Sequence, residues 1–264
     1  MKQSWRGKIV VVTGATAGIG RATAERFKAL GANVVCLARR KSDRFDSFCA
    51  DVTDGESVSR AVAAIVAKYG RLDALVNNAG GGISGPVENA DPAEAERLFA
   101  LNFFGALRMI QAVLPQMRAQ GGGVIVNVSS VAAEFAIPFQ AFYSASKAAL
   151  SSLSDALRSE VAPFGIKVCT VLPGDVRTDF TASRKKGASD PAYGKRAERA
   201  VRAMERDEQN GMPPEEVARA IVRAAGKKRP PVKIVVGAKY KCFVFLRRVL
   251  PARLVAFLLG KMYG

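Results

Sequence analysis

Short apolar runs alternate with longer stretches of helical period through most of this chain. Lys8–Thr13 is a valine-rich run, the pattern of a strand buried on both faces. A glycine-rich turn follows, then an amphipathic helix to about Leu30, closed by Gly31. Further strands are predicted at Asn33–Leu37, Phe48–Asp51, Leu72–Asn77, Val124–Val128, Lys167–Leu172 and Val232–Val236. Helices are predicted at Val58–Tyr69, from Asp91-Pro92 to about Arg118, over about Phe142–Val161 and at Pro213–Ala225. Asp91 and Pro92 supply an N-cap and a first helical residue. The segment Arg39–Ser47 is too short for a full helix. Arg177–Gly211 is charged and reads as helical in part, without a strand.

Strands separated by helices of this length imply right-handed βαβ crossovers and a parallel sheet covered on both faces. The predicted fold class is therefore α/β, a Rossmann-type doubly wound sheet of seven parallel strands. One domain is expected over residues 1–237, with a basic, apolar extension over 238–264.

Composition narrows the chemistry. The 264 residues are 49% hydrophobic, which suits one domain with a sizeable core. No signal peptide and no obvious transmembrane run are read. The four cysteines lack CxxC spacing and read as reduced thiols of a cytoplasmic protein, with Cys36 and Cys169 buried in strands. There is no histidine, which excludes a Ser-His-Asp triad, a histidine base and most zinc sites, and no metal is expected. The formal net charge is +17, and Glu216 is the last acidic residue, followed by twelve Lys and Arg from Arg219 to Lys261. That asymmetry points either to an anionic surface as partner or to a solvated basic face.

Tyr143 and Lys147 stand four residues apart within a predicted helix, on one face, thirteen residues after Ser130. A free tyrosine titrates near ~10, and a neighbouring ammonium would lower that value into a range useful for proton transfer. The turn Thr13-Gly14-Ala15-Thr16-Ala17-Gly18-Ile19-Gly20 joins strand to helix. Its glycines let the backbone approach a phosphate, and the helix N-terminus adds free N–H groups and a favourable dipole.

With these motifs the chain resembles the short-chain dehydrogenase/reductase family, from about Lys8 to Gly237. The likeness rests on Thr-Gly-x-x-x-Gly-x-Gly at 13–20, Asp51-Val52, Asn77-Asn78-Ala79-Gly80, Asn102, Ser130, Tyr143-x-x-x-Lys147, and Pro173-Gly174 with Thr178, in the family's order. It implies an oxidoreductase that moves a hydride between a nicotinamide and a carbonyl or secondary alcohol. Tyr143 would be the acid/base, Ser130 would bind the substrate oxygen, and Lys147 would hold the nicotinamide ribose and depress the tyrosine pKa. Asn102 would hold a water linking Lys147 to solvent. Gly14, Thr16, Gly18, Ile19 and Gly20 would form the dinucleotide turn. Asn78, Ala79 and Gly80 would line the adenosine ribose, and Asp51 and Val52 the adenine. Pro173, Gly174, Val176 and Thr178 would meet the nicotinamide carboxamide. Family members form dimers or tetramers on the helices at about 92–118 and 142–161, so a homodimer or homotetramer is expected.

In that family an acid eighteen positions after the last turn glycine marks NAD; here that position is Ala38, and Arg39, Arg40 and Lys41 follow. A guanidinium matches phosphate geometry. NADP(H) is therefore the expected cofactor, with NAD(H) the less favoured alternative. Arg44 is expected to fold over the same site, and Asp43 or Asp46 would reverse the preference. A loop over about 179–212 would form a lid, and Phe135, Ile137, Phe139 and Phe142 an apolar wall beside Tyr143. The substrate expected is a hydrophobic ketone, aldehyde or alcohol. The tail, 238–264, is a candidate for peripheral membrane contact, though its near-helical apolar spacing suits packing on protein equally well. A nucleic-acid partner is not expected. The alternative is a cofactor-binding protein with vestigial catalysis, recruited to membrane or nucleic acid by that tail.

Overall fold

A computed structural model of the chain describes residues 4–187 and 190–263. The extreme ends of both expected segments, and positions 188–189 of the expected lid, lie outside the described residues. Strand β1 (Ile9–Thr13) is buried throughout and leads through the glycine turn into α1 (Gly18–Ala29). Next come β2 (Asn33–Ala38), β3 (Asp46–Cys49), α2 (Gly55–Tyr69), β4 (Ala74–Asn77) and the short β5 (Ile83–Ser84). A continuous rod follows, made of α3 (Pro92–Phe99), a π-helical turn at Ala100–Phe104 and α4 (Gly105–Ala119). Then come β6 (Gly123–Val128), α5 (Ala141–Val161), β7 (Ile166–Pro173), α6 (Phe180–Ser183), β8 (Lys185–Lys186) and α7 (Gly194–Gln209). The chain closes with α8 (Pro214–Ala225), β9 (Lys233–Val236), α9 (Ala238–Val249) and α10 (Ala252–Tyr263).

Seven strands form one sheet in the order β3-β2-β1-β4-β6-β7-β9, every pair parallel. Phe27 of α1 with Val217 and Ile221 of α8 cover one face. Ile65 of α2, Met109 and Val113 of α4 and Leu157 of α5 cover the other. The fold class read from the sequence is the one found. Strand order reverses between β1 and β4, so their C-terminal ends flank the crevice where ligands of such sheets bind.

Several expectations need correction. Helix α2 begins at Gly55, because Asp54 caps it by accepting from the Glu56 and Ser57 N–H groups, a turn before the first apolar position. Strand β3 is Asp46–Cys49 rather than Phe48–Asp51. It is an edge strand with a polar start, so Asp51 and Val52 fall beyond its C-terminal end. The segment 177–211 does contain a strand: β8 pairs parallel with β5, too short a ladder to leave a period in the sequence. The rod Pro92–Ala119 is long and apolar enough by composition to cross a bilayer. Met109, Ile110, Val113 and Met117 of this rod are nevertheless buried against the sheet, as in a core helix.

Candidate active site

The crevice begins with Thr13 at the end of β1. Its hydroxyl accepts from the Asn78 and Ala79 N–H groups at 2.9 and 3.0 Å and donates to the Val76 carbonyl. Asn78 in turn donates through Nδ2 to the Thr13 carbonyl at 3.1 Å. The Asn77–Gly80 motif is thus pinned to the glycine turn. Gly20 is fixed by close packing: a Cβ there would lie 2.3 Å from the Gly14 carbonyl oxygen and 2.5 Å from Asn78 Nδ2. Gly18 meets Thr178, where a Cβ would come within 3.3 Å of that side chain.

Above these elements opens a cleft of about 610 Å³, lined by Gly14, Thr16, Ala38, Arg39, Arg40, Asp51, Val52, Ala79 and Gly80 among others. Eight of the eighteen residues expected to hold a dinucleotide therefore share one cavity; Gly18, Ile19, Gly20, Asn78, Tyr143, Lys147, Pro173, Gly174, Val176 and Thr178 do not line it. Burial works against ionisation of Asp51, but hydrogen bonds from the Thr53 N–H and hydroxyl, together with the charge of Arg39, outweigh it and lower its pKa. A dinucleotide fits these residues: the lining is rich in glycine (Gly14, Gly80, Gly81, Gly82), Arg39 and Arg40 make part of it basic, and Gly14 and Thr16 belong to the turn that leads into α1. Arg44 does not join them. Its guanidinium pairs with Glu25 at 3.1 Å. Asp46 is also turned away, bonded to Lys68 and Tyr69, so it does not oppose a phosphate.

The expected nicotinamide contacts differ in environment. Gly174 is packed under Tyr240, whose ring carbons would stand 2.0 Å from a Cβ. Val176 is buried, bridges to Met212 and belongs to the core. Thr178 caps the turn into α6 by accepting from the Phe180 N–H.

Ser130, Tyr143 and Lys147 converge at the C-terminal end of β6. Ser130 caps the short helix that follows, accepting from the Ala132 N–H at 3.1 Å, and its hydroxyl acts to lower the pKa of the Tyr143 phenol. Lys147 is buried; its Nζ donates to the Val128 carbonyl at 3.0 Å and lies 5.9 Å from the centre of the Tyr143 ring. Asn102, in the π-turn, is buried and exchanges hydrogen bonds with the Gly81 backbone at 2.9 and 3.0 Å. It also donates to the Ser146 hydroxyl at 3.0 Å. The π-turn aims this carboxamide inward from a helix that is otherwise regular.

The electrostatics reverse one expectation. Burial pushes the Tyr143 phenol up to about 12, opposed by Ser130 and Arg184 and reinforced by Glu208 and Asp175. Burial also brings Lys147 down to about 8. Burial sets the direction for the phenol, and Lys147 is not among the groups that move it.

Four features were not read from the sequence. Phe180 of α6 places its ring against that of Tyr143, whereas Phe139 and Phe142 line a separate cavity of about 350 Å³. Arg184 is wholly enclosed, pairs with Glu208 and stacks over Phe180. Ser129 donates to the Lys147 carbonyl at 2.9 Å, holding the catalytic helix to β6. Asn77, Asn127 and Ser154 form a buried chain of hydrogen bonds, 2.9 and 2.8 Å long, that ties β4, β6 and α5 together. Polar residues inside apolar runs were the only sequence signal for this chain.

The comparisons agree with this geometry. Residues 8–189 match the family model of short chain dehydrogenases. The chain is 39% identical over 236 residues to a 3-ketodihydrosphingosine reductase of Bacteroides thetaiotaomicron, covering 87% of this chain and 88% of the relative. A short-chain dehydrogenase from Streptomyces avermitilis superposes with a TM-score of 0.83 at 38% identity, over 90% of this chain and 92% of that one. One from Burkholderia cenocepacia, solved with NADP, gives 0.76 at 29% identity over 96% and 99%. Other solved neighbours hold NAD or NADH. On its sheet, its glycine turn, its Ser-Tyr-Lys site and these likenesses, the chain is a member of the short-chain dehydrogenase/reductase family of oxidoreductases.

Proposed function

We propose that this protein is an NADPH-dependent reductase of a carbonyl on a lipid-like substrate. The observation that carries this reading is geometric: Ser130, Tyr143 and Lys147 converge at the C-terminal end of β6, with Lys147 Nζ 5.9 Å from the centre of the Tyr143 ring and held by the Val128 carbonyl. A phenol that burial keeps protonated can supply a proton to a carbonyl oxygen there. The basic end of the cleft, with Ala38 in place of an acid and Arg39 and Arg40 lining it, supports the phosphorylated cofactor. The named substrate of the Bacteroides relative and the aromatic surface of Phe180 support a hydrophobic ketone.

Gly14, Thr16, Arg39, Arg40, Ala79 and Gly80 would hold the dinucleotide, which supplies the hydride when bound. Ser130 donates to the carbonyl oxygen and orients it. Tyr143 gives that oxygen its proton as the alcohol forms. The Lys147 ammonium stabilises the phenolate left behind. Asn102 and Ser129 fix the elements that carry Lys147. The apolar contact with Phe180 limits the access of water to the half-buried Tyr143.

The test is a panel of long-chain and short-chain ketones with NADPH or NADH, followed by cofactor absorbance, for the parent protein and Tyr143→Phe. Turnover of long-chain ketones with NADPH is expected for the parent. In Tyr143→Phe it should fall at least about 100-fold, the lower range for lost acid catalysis, with NADPH affinity retained. Turnover within tenfold of the parent would remove Tyr143 from the reaction.

A further inference from the structure

The two C-terminal helices are amphipathic in an inverted sense. Helix α9 holds to the domain through a narrow inner face: Tyr240 packs against Gly174 and donates to the Asp175 carboxylate, and Val244 is buried with it. Its opposite face carries Cys242, Phe245, Leu246 and Val249, spaced three and four residues apart and open to solvent. Phe245 is 64% exposed and Val249 60%. Helix α10 repeats the arrangement. Val255, Leu259 and Tyr263 turn partly inward, and the Tyr263 hydroxyl reaches Asp207. Leu254, Phe257, Leu258 and Met262 face out, with Phe257 57% exposed. Scattered exposed apolar residues need no explanation, but two continuous stripes on adjacent helices do.

The flanks of both stripes are basic. Lys239, Lys241, Arg247, Arg248, Arg253 and Lys261 lie on these helices, and no acidic residue follows Glu216. Arg247 and Lys239 reach back to Glu134 and Asp175. Arg248 and Arg253 make no ion pair among the described residues.

We propose that α9 and α10 form a docking surface that lies in the interface of an anionic lipid bilayer, apolar stripes down and basic flanks among the headgroups. Charge selects this occupant. A second copy of the chain would bring one uncompensated basic surface against another, which repels, whereas anionic headgroups neutralise it. Length selects the orientation. Each helix has 12 residues, about 18 Å long at ~1.5 Å per residue, against a hydrocarbon core of roughly 30 Å. Neither helix can span the membrane, and each is suited to lie in its plane. The same helices border the site: Tyr240 presses on Gly174, and Tyr263 reaches α7, whose Glu208 lies within electrostatic reach of Tyr143. A bilayer held by this surface would stand beside the lid, where a lipid-like substrate could enter without crossing water.

The test is co-sedimentation of the full chain with vesicles of phosphatidylcholine alone and of phosphatidylcholine mixed with phosphatidylglycerol, together with its mass in solution. Binding to the mixed vesicles is expected to exceed binding to the neutral ones at least tenfold. It should weaken with salt, since exposed charges are screened over about 8 Å at physiological ionic strength. The double variant Phe245→Ser/Phe257→Ser and the double variant Arg248→Glu/Arg253→Glu should each lose at least tenfold in vesicle partition. Melting temperature and turnover of a short, water-soluble ketone should hold, because these four side chains touch neither core nor site. Failure of the parent to sediment with anionic vesicles would overturn the proposal. So would equal binding by parent and variants, or a dimer in solution that Phe245→Ser/Phe257→Ser dissolves, which would assign the stripes to a second copy.

Discussion

The ring of Phe180 lies 5.5 Å from the ring of Tyr143, tilted by 56°. Helix α6 therefore touches the proposed acid/base directly, and the packing of α6 on α7 continues from that contact. Arg184 stacks on Phe180 at 5.6 Å and pairs with Glu208, which also accepts from the Thr181 hydroxyl at 2.6 Å. The pair joins α6 to α7 and partly seals the phenol from water: Tyr143 is half-buried.

Phe180→Ala should open that seal. An aromatic pair contributes about 0.5–1.5 kcal/mol beyond burial, so kcat/KM for a hydrophobic ketone should fall up to about tenfold. The apparent pKa of Tyr143 should also move down towards its ordinary value as water returns to the phenol. Steady-state kinetics and a pH titration of tyrosinate absorbance check both; an unmoved titration would show that α6 does not bury the phenol.

The pH profile of reduction should report Lys147 rather than Tyr143. Its folded pKa, about 8, lies below its ordinary 10.5, so the ammonium is present below about pH 8 and lost above it. The phenol remains protonated until about 12. Activity should decline as pH rises through 8. Replacing Lys147 with Arg, which does not deprotonate in this range, should move that decline upward even though turnover is lower. A decline at the same pH in Lys147→Arg would assign it to another group.

Arg39→Asp should shift preference towards NADH. It removes a phosphate partner at the basic end of the cleft and adds a carboxylate beside Asp51. The ratio of NADPH to NADH efficiency should fall at least tenfold, equivalent to about 1.4 kcal/mol. A change below fivefold would place the recognition on Arg40.

Tyr240→Ala should destabilise the domain by about 3 kcal/mol, the usual cost of deleting a buried aromatic ring. The ring fills the space over Gly174 and Gly237, and its hydroxyl bonds the half-buried Asp175. Removing all of α9 should do at least as much harm, although every family motif precedes it. Removing α10 alone should leave the melting temperature within a few degrees. Thermal denaturation of the three proteins separates these outcomes.

The sheet was legible because β1, β4, β6 and β7 are wholly or largely buried and so are written as unbroken apolar runs. The edge strand β3 was displaced by two residues for the opposite reason: Asp46 satisfies itself at the rim with Lys68. Spacing placed Tyr143 and Lys147 on one helix face, and the family resemblance, not spacing, joined Ser130 to them. Arg184 and Glu208 were not, because their 24-residue separation crosses a charged segment in which any arginine looks solvated. The raised phenol was hidden too, since it depends on how completely α6 and α7 enclose the ring, and a neighbouring lysine in the sequence suggests the reverse.

The two-residue ladder between β5 and β8 sets how the lid must behave. Beyond a few backbone hydrogen bonds, it is held across the cleft mouth by the Lys185–Glu94 ion pair at 2.9 Å, between an exposed lysine and a half-buried glutamate, while Lys186 pairs with Glu205 of α7. Surface pairs of this kind contribute under about 1 kcal/mol. Such a latch costs little to open, so in the proposed reductase Lys185 and Glu94 would act as a turnstile, releasing to let spent dinucleotide leave and fresh dinucleotide enter.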